Sequence, residues 1–98
     1  KTSNFNVQNF QVFPVNTSGS VVTGTLPGLT SDDDVGVTFT VKDSEGSGST
    51  NNVVVAASGS QEIDTASQVK IQVNFGSVTV SAISGASDYF WSITSTSP

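Results

Sequence analysis

Ninety-eight residues, a net charge of −5, and the absence of Cys and His describe one small domain without disulfides, thiol chemistry or an imidazole base. Its only cationic side chains are Lys1, Lys42 and Lys70. These are too few to neutralise a phosphate backbone or to hold an anionic membrane surface, which argues against nucleic-acid and membrane-surface roles. No apolar run approaches the ~20 residues that span a bilayer.

The apolar share is 35%, carried by Val, Ile and Phe, with Leu only at positions 26 and 29. Ser and Thr fill 29 positions. Hydroxyl and β-branched residues disfavour helices and favour strands with polar outer faces. A thin core without disulfide or His-bound metal predicts reinforcement by oligomerisation. The start at Lys1, without Met, gives the expectation that residues 1–98 are one β domain of a longer chain. The lack of Cys fits an extracellular or virion-surface setting.

In chain order, Phe5 and Val7 alternate in one phase and Phe10 and Val12 in the other, which predicts a bulge or break near Asn9. Pro14 stops ladder donation, and Asn16-Thr-Ser-Gly19 reads as a turn. Asn16-Thr17-Ser18 also matches a glycosylation sequon, a tripeptide common by chance. Val21 to Leu26 predicts a short strand, and Leu26 to Gly36 an irregular stretch around Asp32-Asp33-Asp34.

Val37, Phe39 and Val41 alternate with Thr38, Thr40 and Lys42, a strand with one buried face. Asp43 to Ser49 is rich in turn formers, and Val53-Val-Val55 reads as a strand covered on both sides. Phe39 to Val55 is therefore expected to form a β-hairpin. Ser58-Gly-Ser60 makes a further turn and Ile63 is a lone apolar position. Val69, Ile71, Val73 and Phe75 predict one continuous strand, interrupted at Gly76 and resumed by Val78 and Val80. Gly85 to Asp88 is a turn, and Tyr89-Phe-Trp-Ser-Ile93 is the last strand. Seven to eight short strands with no helical window predict an all-β fold, a small antiparallel β-sandwich or barrel.

Few residues offer chemistry. Asp32, Asp33 and Asp34 could bind Ca²⁺ through carboxylate oxygens. The rival reading is a solvated loop that keeps a β protein soluble. Asp43 with Glu45, and Glu62 with Asp64, could supply a carboxylate pair for glycoside hydrolysis. Turn capping and surface charge explain them better, and no Ser has a His to activate it. No catalytic residue is assigned. Tyr89 and Trp91 are the binding candidates, because aromatic faces stack on sugar rings; packing in the core or at a subunit interface is the alternative.

From Thr25 to Ile93 the order of short blocks resembles a β-domain of bacteriophage tail fibres and tailspikes. The blocks are Thr25-Leu26-Pro27, Gly36, Val41-Lys42-Asp43, Gly46 and Thr50-Asn51-Asn52. They continue with Glu62-Ile63-Asp64, Phe75-Gly76-Ser77, Val78-Thr79-Val80 and the Tyr89–Ile93 strand. Phe75 stands where family members usually carry Tyr, and the Asp run is an addition. The resemblance implies a virion-surface module, packed as a homotrimer along a fibre or spike, contributing to host attachment through a host-surface glycan or protein receptor. It carries over no catalytic residue and no cofactor. A carbohydrate-binding module of a secreted bacterial protein is the rival function.

Overall fold

The computed structural model describes residues 2, 4–6, 12–30, 34–85 and 89–97. Among the described residues, period-2 alternation is realised as eight strands: β1 (Phe5–Asn6), β2 (Val12–Val15), β3 (Val22–Thr25), β4 (Thr38–Asp43), β5 (Val53–Ala56), β6 (Gln68–Ile71), β7 (Ser77–Ser84) and β8 (Tyr89–Ser97). In β4 and β7 every second residue is buried, as a half-buried pleated strand requires. The strands form two four-stranded sheets, ordered β1-β3-β5-β6 and β2-β4-β7-β8. Phe39, Val41, Val78, Val80 and Trp91 from one sheet and Val22, Val53, Val55 and Ile71 from the other share a single core. The fold is an all-β sandwich.

The sheets are mixed rather than antiparallel. β1/β3, β2/β4 and β3/β5 are parallel, whereas β4/β7, β5/β6 and β7/β8 are antiparallel. The first five strands alternate between sheets, so β1, β2 and β3 each pair in parallel with the strand two places on. A parallel pair needs a crossover, and here the intervening strand of the opposite sheet is that crossover.

This arrangement corrects the expected Phe39–Val55 hairpin. β4 and β5 lie in different sheets and share no ladder. The connecting loop bonds elsewhere: Ser44 N–H donates to Val15 C=O at 2.9 Å, and the Asn51 side-chain amide donates to Thr17 C=O at 2.9 Å. The loop is thereby fastened to the end of β2 and arches across the core. The continuous Val53–Val55 run is buried throughout, as expected. Val54, on the outer face, is flanked in register by Thr23 and Lys70.

A second correction concerns Val69 to Phe75. The strand ends at Ile71, while Val73 and Phe75 are half exposed. Phe75 takes a left-handed φ of 60°, and Gly76 N–H closes a turn onto Val73 C=O at 2.9 Å. Those four matches to strand period span a strand plus the turn that carries the chain to the other sheet. At the amino-terminal end, the predicted break near Asn9 lies outside the described residues. Pro14 sits inside β2 instead of ending it, on the edge of its sheet, where its missing N–H is tolerated.

Candidate functional site

Two polar constellations lie at opposite ends of β7. The β4–β7 register pairs Lys42 with Ser77, and the β7–β8 register pairs Ser84 with Tyr89. The first constellation therefore gathers around Asp43 and the second around Tyr89.

Asp43 ends β4 with no exposed surface. One carboxylate oxygen accepts N–H bonds from Gly46 at 3.1 Å and Glu45 at 3.3 Å. The other accepts from Gly48 at 2.8 Å and from Phe75, 32 residues away, at 2.9 Å. Burial alone would raise its pKa, but the surrounding backbone N–H groups of Phe75, Gly48, Glu45 and Ser47 outweigh it and hold the carboxyl below its ordinary value. The carboxylate is thus a staple between two loops, and none of its bonds suits general acid–base work.

The local sequence explains the geometry. A Cβ on Gly48 would meet Val73 C=O at 2.8 Å and an Asp43 oxygen at 3.1 Å. Gly46 has φ +78° and lies under the Phe75 ring. Lys42 donates its ammonium to Phe75 C=O and stands 5.9 Å from the centre of that ring. Ser49 N–H and hydroxyl both donate to the Asn74 side-chain oxygen, at 3.0 and 2.7 Å.

At the other end, Ser60, Gln61, Glu62, Asp64, Thr65, Tyr89 and Phe90 line an open cleft of about 400 Å³. Two features of the chain place its walls. Ile63 is buried and bridges in parallel to Trp91, so Glu62 and Asp64 on either side turn outward. The segment is locked to the edge of β8 by Trp91 N–H to Glu62 C=O and Asp64 N–H to Trp91 C=O, both 2.9 Å. Asp64 also accepts the Ile93 N–H at 3.1 Å. Asp64 and Thr65 carry positive φ values of 48° and 72°. The Gln61 amide is committed elsewhere: it accepts from Leu29 N–H at 2.9 Å and donates to Leu29 C=O at 2.7 Å. Glu62, Asp64 and the half-buried rings of Tyr89 and Phe90 line the opening.

The sequence candidates fare differently. Tyr89 is half-buried at the cleft. Trp91, expected beside it as a binding residue, is fully buried and stacks obliquely on Phe39 with ring centres 5.7 Å apart. It is a core residue, which corrects that half of the pair. The two face the same way by strand period, but Trp91 lies over the sheet's interior and Tyr89 at its end. Phe90 and the Glu62–Asp64 segment take its place at the cleft. The Glu62-Ile63-Asp64 alternation is the signal from which the outward turn of both carboxylates could have been read; nothing in the sequence announced that they lie beside β8. Asp32 and Asp33 lie outside the described residues. Asp34 accepts the Thr30 N–H at 2.8 Å, and among the described residues no three of His, Cys, Asp and Glu converge as metal ligands. The chain matches no protein-family model and no curated protein.

Proposed function

We propose that the domain is a non-enzymatic structural module of a fibre or spike on a virion surface, packed as a homotrimer and contributing to host attachment. The observation that carries the proposal is the Asp43 staple. Three of the blocks on which the fibre resemblance rests, Val41-Lys42-Asp43, the nearby Gly46 and Phe75-Gly76-Ser77, whose Phe75 lies 32 residues beyond Asp43, meet around one carboxylate. A pattern held together by a single structural unit fits a scaffold whose residues are constrained by folding, not by a reaction.

Oligomerisation has a physical motive. Val12, Val21, Val73 and Phe75 are half exposed or more, and β1, β2 and β6 are sheet edges, as is β8 beyond the stretch at Trp91 that residues 62–64 cover. Edges of this kind are stabilised when neighbouring chains cover them. Sedimentation equilibrium of residues 1–98 over a wide concentration range is expected to show a monomer–trimer equilibrium. A strict monomer at the highest concentrations would overturn the trimer.

The rival function, a carbohydrate-binding module of a secreted bacterial protein, is favoured by the aromatic and acidic cleft at Tyr89. The two readings differ in assembly and setting; both place ligand contact at the end of the sandwich opposite the staple.

A further inference from the structure

We propose that the cleft between residues 60–65 and the start of β8 is a binding site for a neutral saccharide unit. The inference rests on the attachment part of the proposed function and is independent of the trimer.

The volume of about 400 Å³ lies within the ~300–1,000 Å³ of small-molecule sites. Tyr89 and Phe90 are consecutive in β8, so period 2 turns their rings to opposite faces of the strand end. Both nevertheless line the cleft, because they stand where β8 begins and the 60–65 segment wraps around its edge. Half-buried aromatic rings offer apolar faces that suit the C–H face of a pyranose. Glu62 and Asp64 supply hydrogen-bond acceptors for sugar hydroxyls, and Ser60 and Thr65 add hydroxyl groups. Among the described residues no cationic side chain lines the cleft, so none of them compensates an anionic ligand. The lining therefore selects against uronic acids, sialic acids and phosphates.

The walls are held rigidly enough to bind. Ile63 anchors the acidic segment in the core. The Glu62–Trp91 and Trp91–Asp64 backbone bonds fix it to β8, and the Gln61 amide clasps the Leu29 backbone from behind. A prearranged wall reduces the ordering cost of binding. A shallow site without an ion pair is expected to bind one sugar unit with a dissociation constant of about 1 mM; several copies on one particle would raise the apparent affinity through multivalency.

The test is an amide-resolved NMR titration of the intact 98-residue chain with glucose, galactose, N-acetylglucosamine and their β-linked disaccharides. Glucuronate, sialic acid and glucosamine serve as charged probes. Expected are saturable shifts confined to residues 60–65 and 89–91 with at least one neutral sugar, and clearly weaker binding of both anions. Phe90→Ala should weaken binding about tenfold, and Glu62→Gln, at an exposed position, several-fold. Glu62→Gln keeps the test decisive should Phe90→Ala fail to fold. The proposal is overturned by an absence of cleft shifts with every neutral sugar. Equal binding of the anions, binding of glucosamine alone, or unchanged affinity in folded Phe90→Ala or Glu62→Gln overturns it too. A trimer without sugar binding would sink this inference alone; sugar binding by a strict monomer would sink only the trimer.

Discussion

At the residue scale, Asp43 is the position where the most depends on one side chain. Its two oxygens satisfy four backbone N–H groups in two loops, and removing them leaves covered donors unpaired. Hydrogen bonds to a charged acceptor contribute ~1.5–3 kcal/mol each at most and are not additive. Asp43→Ala is therefore expected to cost about 3–4 kcal/mol, read from the urea midpoint. That is a large share of the ~5–15 kcal/mol that holds a typical domain folded.

The same staple gives a pH dependence with a definite sign. The folded pKa of Asp43 is depressed, so on acidification the unfolded chain takes up the proton first, near its ordinary value of about 3.9. The stabilisation is full above about pH 4 to 5 and is lost as pH falls through the folded value. Urea midpoints measured downward from pH 6 should decline for the native chain. In Asp43→Asn that part of the decline should be missing. Identical declines in both would assign the acid sensitivity to another carboxylate. Gly48→Ala probes the same staple sterically. Its new methyl would stand 2.8 Å from Val73 C=O, and an overpacked contact of this kind is expected to destabilise by about 1–3 kcal/mol in the same measurement.

At the element scale, what was legible in the sequence was strand existence and face. Phe39-Val41, Val53–Val55 and Val78-Val80 follow the alternation or continuity that burial imposes, whereas Val37 lies before β4 and is exposed. Partner choice was not legible. A polar turn between two apolar runs reads as a hairpin, yet the same Asp-Gly-Ser chemistry can arch a chain between sheets when its donors are collected by a carboxylate at the strand end. Asp43 does this, and its partner Phe75 lies too far along the chain for a local pattern to disclose. The Val73–Phe75 error has the same root: period 2 continues through a turn whose φ of +60° at Phe75 is set by a bond to Asp43. The Trp91 error is one of position along a strand. Alternation places Tyr89 and Trp91 on one face, and only the packing of Phe39 against Trp91 tells which of the two lies inside the sandwich.

At the scale of the whole molecule, the domain measures 39 × 21 × 21 Å, with the staple and the cleft at opposite ends of the eight-residue β7. This separation would let one end serve folding and the other hold the proposed ligand, since substitutions in one do not touch the other. It follows from the alternation of β1 to β5 between sheets, which carries the 44–52 arch to one end and the 57–67 segment to the edge of β8. The most direct test of that architecture is the pattern of backbone nuclear Overhauser effects between strands in solution. Contacts are expected between Thr40 and Thr79, between Val41 and Phe13, and between Val22 and Val53, in the registers of β4/β7, β2/β4 and β3/β5. No ladder contact is expected between residues 38–43 and 53–56, whose sheets should stand ~10 Å apart. A continuous antiparallel ladder joining Phe39–Val41 to Val53–Val55 would contradict the account.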